Sequence, residues 1–219
     1  MKRRSTPIQS NYPVPEDFVL LAKKWRPDAV DILLGFVWQG FDQLAREKFN
    51  AAKDDQNLED DITYAAYCRI QDTTPYSPFQ VIHQPPEPEK GKATGPSPRS
   101  DLGFRLRGGN VRSHFTIEAK VIKTERGVAK YVNEITGNLL TARYAAFSSE
   151  AAMLGYLFSG CPQNTFKSIS QKLQCPLNPY PAFPERNHRY SDHLRETSSG
   201  YKVSPDFRCH HMIIVFPVT

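Results

Sequence analysis

The 219-residue sequence reads as a single mixed α/β domain, a central sheet flanked by helices, on three observations. Apolar residues recur at helical spacing through an N-terminal part of about residues 15–71, and again after residue 127. Two strand-like runs, 101–107 and 114–122, stand between these helical parts and are joined by a short glycine-containing turn. A dense apolar run at 212–216 suits a buried strand near the end of the chain.

Taken in order, residues 15–25 predict a short helix. Beyond Pro27, the positions Ile32, Phe36, Val37, Phe41, Leu44 and Ala45 share one face and predict a long core helix over 28–52, ended by the polar run 53–57. A third helix is expected over 58–70. Pro75 and Pro78 then break the chain before a strand at 79–83. Residues 84–100 hold five prolines and two glycines with no apolar period, and are expected to form a flexible surface loop. Runs 101–107 and 114–122 should pair as a hairpin. Helices are expected over 127–134, 148–158 and 164–173, the second capped by Ser148 or Ser149. Residues 176–208 are polar and irregular, and 210–218 form the closing strand. No internal repeat is present.

Composition limits the function classes. Hydrophobic residues make up 39% of the chain, enough for one core with long loops. Lys and Arg number 28 against 23 Asp and Glu, so the net charge is +5 and polyanionic partners are favoured. No apolar stretch approaches the roughly 18–20 residues that span a bilayer. The basic start at residues 2–4 is followed by a polar, proline-containing segment rather than an apolar one, which argues against a signal peptide. Four cysteines without close spacing indicate a reducing, cytoplasmic setting. Phosphate-binding GxxxxGK[ST], GxSxG and GxGxxG patterns are absent, which removes the corresponding nucleotide-hydrolase, serine-hydrolase and dinucleotide readings.

The chemistry gathers on the strand 114–122. Alternation puts Phe115, Ile117, Ala119 and Val121 on one face and Thr116, Glu118, Lys120 and Ile122 on the other, so Glu118 and Lys120 are neighbours about 6–7 Å apart. A carboxylate and an ammonium on a half-apolar strand are costly unless paired, solvated or used on a ligand. Asp101 opens the partner strand and is positioned to join them. Converging carboxylates repel, and a divalent cation relieves that repulsion, so the cluster is a candidate oxygen-ligand site for Mg2+ or Mn2+. On the helix 58–70, Ile62, Ala65, Ala66 and Ile70 define the buried stripe and Glu59 falls on it, whereas Asp60 and Asp61 do not. Glu59 is therefore the acid that points inward, to cap its helix or to reach the sheet. A structural ion network is the competing reading of all four residues.

Asp101, then Glu118-Ala119-Lys120 inside an apolar strand, with Glu59 on an upstream helix, resembles the PD-(D/E)XK nuclease superfamily over about residues 58–122. Ser100 stands where that pattern has its proline. The resemblance implies a restriction-endonuclease-like mixed sheet and hydrolysis of phosphodiester bonds, with DNA the favoured substrate and RNA left open. It implies that Asp101, Glu118 and the Ala119 carbonyl hold Mg2+ or Mn2+, that Glu59 supports the ion or its water, and that Lys120 acts as base or as electrostatic clamp. A role in prokaryotic antiviral defence or restriction follows, as a homodimer or as a subunit of a larger defence complex. The alternative is a non-catalytic nucleic-acid-binding or assembly subunit with the same fold.

Basic residues Lys90, Lys92, Arg99, Arg105, Arg107, Arg112, Lys123, Arg126 and Lys130 surround this region in sequence and are candidate phosphate contacts; of these, Arg99, Arg105, Arg107, Arg112 and Lys123 are the expected nucleic-acid-binding set. His193 and Arg195 are weaker candidates, expected on a surface loop. Cys161, Cys175, Cys209, His210 and His211 lack zinc-ligand spacing. The apolar segment around Tyr144, Met153, Leu154 and Tyr156 is read first as core, and as a partner surface only if it proves exposed.

Overall fold

The computed structural model describes residues 16–44, 47–87, 97–110, 112–195 and 203–216. Within them, helices α1 (Phe18–Trp25), α2 (Ala29–Leu44), α3 (Asp55–Thr73), α4 (Ala129–Glu134) and α5 (Pro162–Leu173) flank one mixed sheet. Its strands are β1 (Phe79–His83), β2 (Leu102–Leu106), β3 (Phe115–Ile122), β4 (Glu150–Leu157), β5 (Asn178–Pro179), β6 (His188–Leu194) and β7 (Asp206–Val215), in the order β1-β2-β3-β4-β7-β6-β5. The central strands β3, β4 and β7 are parallel, and an antiparallel meander continues the sheet on each side.

The helix bounds follow from capping. Asp17 accepts the Val19 amide at 2.8 Å and so starts α1 at Phe18 rather than at residue 15. Asp54 accepts the Asn57 amide at 3.0 Å, which starts α3 before residue 58. Helix α2 is described as far as Leu44, and residues 47–50 are not helical, so it falls short of the expected residue 52. Beyond it, Asn50 turns the chain by accepting the Ala52 amide. After α4 the chain makes a single π-helical turn, Ile135–Leu139.

Helices α1, α2 and α3 cover one face of the sheet, against Phe115, Ile117, Ala119, Val121, Leu154 and Tyr156. The second core packs α4, the π turn and α5 against Ile122, Met153, Leu157 and Ile213. Gly40 lets α2 and α3 approach closely, since a Cβ there would lie 2.5 Å from Ile70. Gly155, opposite Lys120 on β4, leaves no room for a side chain between Ile122 and Ile213.

Two expectations are corrected. Residues 148–158 do not form a helix: Glu150–Leu157 is the buried parallel strand β4, paired on both edges and inaccessible along its whole length. An apolar run covered on both faces has no amphipathic period, so strand and buried helix look alike in sequence. The same burial removes Met153, Leu154 and Tyr156 as a partner surface. Residues 176–208 are not merely irregular, because β6 pairs with β7 along seven positions. At the ends of the expected flexible loop 84–100, Pro86 bridges Arg99 and Glu87 is fully buried. Among the described residues no helix is long and apolar enough to cross a membrane.

Candidate active site

The site lies where β2 ends before β3 does. Their pairing covers only Phe115–Ile117, so the amides of Ala119 and Val121 have no strand opposite them. Carboxylates take that place: Asp101 Oδ2 accepts the Ala119 amide at 2.7 Å, and Glu59 Oε2 accepts the Val121 amide at 3.2 Å. Continuing the register by one residue sets Asp101 opposite Glu118. Glu59, carried by the first turns of α3, is inward and buried as its helical stripe requires.

Lys120 binds the group together. Its ammonium donates to Glu59 Oε1 at 2.8 Å, to Glu118 Oε1 at 3.0 Å and to the Ala119 carbonyl at 2.6 Å, with Asp101 Oδ2 at 4.0 Å. Three carboxylates thus face one ammonium. Burial pushes the Glu59 carboxyl up to about 7, against the lowering effect of Lys120. Burial also raises Asp101, and burial together with the Asp101 charge raises Glu118 well above the usual carboxylate range. For Lys120, burial works against the charge, but Glu118, Asp101 and Glu59 outweigh it and hold the ammonium above the ordinary lysine range.

Glu118 Oε2 is buried without a hydrogen-bond partner. A surplus of negative charge, an orphaned carboxylate oxygen and a nearby backbone carbonyl make a hard oxygen donor set that suits Mg2+ or Mn2+. Among the described residues no three acids, histidines or cysteines are spaced as a ready metal-ligand set, and the Lys120 ammonium lies among the three carboxylates. That side chain borders a cavity of about 430 Å³, with Arg99, Asp60, Gln84 and Glu134 on its walls. A second cavity of about 320 Å³ on its other side is lined by Asp55, Lys130 and Asn133.

The remaining basic residues divide. Arg99 lines the larger cavity and Lys130 the smaller. Lys123 and Lys130 both pair with Asp55 at the start of α3. Arg105 is tied to Gln80, Arg107 to the Ser77 carbonyl, and Arg112 lies in the turn before β3; none of the three lines either cavity. Arg126 is exposed, and Lys90 and Lys92 lie outside the described residues. Arg195 is not a surface contact: it is buried, donates to the carbonyls of Leu139, Ala145 and Ser148, and stacks over Phe207. His193 sits on β6 against Ser191. His210 and His211, adjacent on β7, project to opposite faces and bond Glu150 and Ser191 respectively.

Three further residues carried no sequence signal for the site. Glu134, at the end of α4, lines both cavities and its charge adds to the rise at Glu118. Tyr144 donates to the Arg99 carbonyl, and burial followed by the Glu118 charge pushes its hydroxyl up to about 12. Glu87 contacts His114 at 3.1 Å and accepts from Thr116 Oγ1 at 2.9 Å and the Ala145 amide at 3.1 Å. Burial opposes its charge, but these contacts prevail and hold its carboxyl below the usual range. Its place in a proline-rich stretch hides it from any periodicity argument.

No protein family, curated protein or solved structure matches the chain.

Proposed function

We propose that the protein is a divalent-metal-dependent nuclease of restriction-endonuclease-like fold that hydrolyses phosphodiester bonds in DNA. The observation that carries this reading is the cage of Asp101, Glu118 and Glu59 around one lysine, with an unpartnered carboxylate oxygen inside it. With all three acids ionised, one ammonium leaves two surplus negative charges, the charge of one divalent cation, whose binding would favour that ionisation. Asp101, Glu118 and the Ala119 carbonyl would hold that cation with Glu59 behind them, and it would polarise the phosphodiester and generate a nucleophile at neutral pH. Lys120, between the acids and the cavity, would act as base or as electrostatic clamp on a phosphate oxygen. Arg99 on the cavity wall offers a second cationic contact.

The restriction or antiviral role, the cytoplasmic setting and the pairing of two copies belong to the same proposal. A second reading, a binding or assembly subunit that does not cut, is favoured by the hydrogen bonds through which Lys120 ties Glu59, Glu118 and the Ala119 carbonyl together. Plasmid and oligonucleotide cleavage in Mg2+ or Mn2+ separates the two. Wild-type protein should cut, while Lys120→Ala and Glu118→Ala should each lose at least about a hundredfold, the scale of one electrostatic contact to the reacting group. Equal behaviour of all three proteins removes the nuclease reading.

A further inference from the structure

Beside the acid cage, α3 and the end of β1 build a cluster of three aromatic rings. Tyr64 is 57% exposed, although its ring lies 5.4 Å from that of His83 and 6.2 Å from that of Tyr67. Tyr67 and His83 in turn lie 5.5 Å apart, which supports Tyr64 from behind. The rings do not themselves line the larger cavity but adjoin residues that do: Tyr64 is one helical turn beyond Asp60, and His83 precedes Gln84. Asp101 is next to Leu102, the strand partner of His83. A buttressed ring one helical turn from a charged cavity differs from a lone exposed aromatic, because its supports have already removed the side-chain freedom that a ligand would otherwise have to freeze.

The acids are recessed. Side chains of Glu59 and Glu118 are 4% and 6% exposed, so a phosphate must descend between α3 and β3 to reach them. In a duplex the base beside that phosphate remains paired and stacked, and presents no open face to a protein ring. An unpaired base does. We propose that Tyr64, supported by Tyr67 and His83, is a stacking platform for an unpaired base, so that the substrate is single-stranded or locally opened nucleic acid. The proposal rests on the nuclease reading for the phosphate's place in the cage, while the stacking can be tested without cleavage.

Fluorescence anisotropy would compare a single-stranded DNA oligonucleotide, the same sequence as RNA, and its DNA duplex, at one fixed salt concentration, in Ca2+ and in EDTA. Tyr64→Ala should weaken single-strand binding about tenfold or more and duplex binding less than twofold, and Tyr64→Trp should restore it. Tyr76→Ala, an exposed tyrosine before β1, should leave binding unchanged. Tyr64-dependent binding that is tighter for DNA supports both the platform and DNA as substrate, whereas tighter Tyr64-dependent binding of RNA supports the platform and overturns DNA as the substrate. Single-strand binding indifferent to Tyr64→Ala, or a duplex bound more tightly than the single strand, overturns the proposal. Absence of binding to every oligonucleotide overturns both this inference and the nuclease reading. Tyr64-dependent binding without metal-dependent cleavage by the wild type overturns the nuclease reading alone.

Discussion

Glu118→Gln is expected to stabilise the metal-free protein at pH 8. The substitution keeps Oε1, which accepts from Lys120 at 3.0 Å, and replaces the orphaned Oε2 by an amide that can donate to Asp101 across the strand pair. It also removes one surplus negative charge from the cage. Relief of a buried unsatisfied polar group amounts to about 1–3 kcal/mol. At about 2–4 °C per kcal/mol for a chain of this length, the melting temperature should rise by roughly 2–12 °C. The sign reverses for Lys120→Met, which strands three carboxylates and should cost about 3–5 kcal/mol. Urea unfolding followed by circular dichroism in EDTA measures both. Because the Glu118 carboxyl is raised, folded wild type carries the proton in mild acid, and the advantage of the glutamine should disappear by pH 5. Millimolar Mg2+ should stabilise wild type more than the variant. Destabilisation by Glu118→Gln of more than about 1 kcal/mol at pH 8 would refute the overcharged-cage argument.

Glu59 gives a second pH signature. Its folded value of about 7 lies above the usual glutamate value of 4.5, so its contribution to stability is fully present below 4.5 and is lost as pH rises through 7. The stability difference between wild type and Glu59→Gln should therefore move by on the order of 3 kcal/mol between pH 4.5 and 8, in favour of the variant, when melts are compared across that interval. Glu87→Ala should cost about 3 kcal/mol by leaving His114, Thr116 and the Ala145 amide without their acceptor, and hydrogen exchange at Ala145 should quicken. A variant that melts like wild type would mean that the buried carboxylate does not anchor the segment from residue 84 to the sheet.

Local pattern was enough for much of this protein. The bounds of β1, the alternation of β3, the hairpin made with β2 and the inward turn of Glu59 all follow from which side chains repeat at a period of two or of 3.6. In β1 and α3 the period separates a dry face from a wetter one, and in β3, buried on both sides, it separates an apolar face from one that carries Thr116, Glu118 and Lys120. Where tertiary structure covers both faces the signal vanishes, as at β4, and where polar side chains pair inside the fold it misleads, as at β6 and Arg195. The site divides along the same line. Sequence alone determined that Asp101, Glu118, Lys120 and Glu59 could face one another, because strand alternation and helix phase are local. Only the packed chain decided that β2 stops short of Ala119 and Val121, that two carboxylates replace it, and that Glu134, Glu87 and Tyr64 stand close by. Those facts depend on contacts between residues dozens of positions apart, whose geometry is set by the packing of α3 and the sheet and by no local repeat.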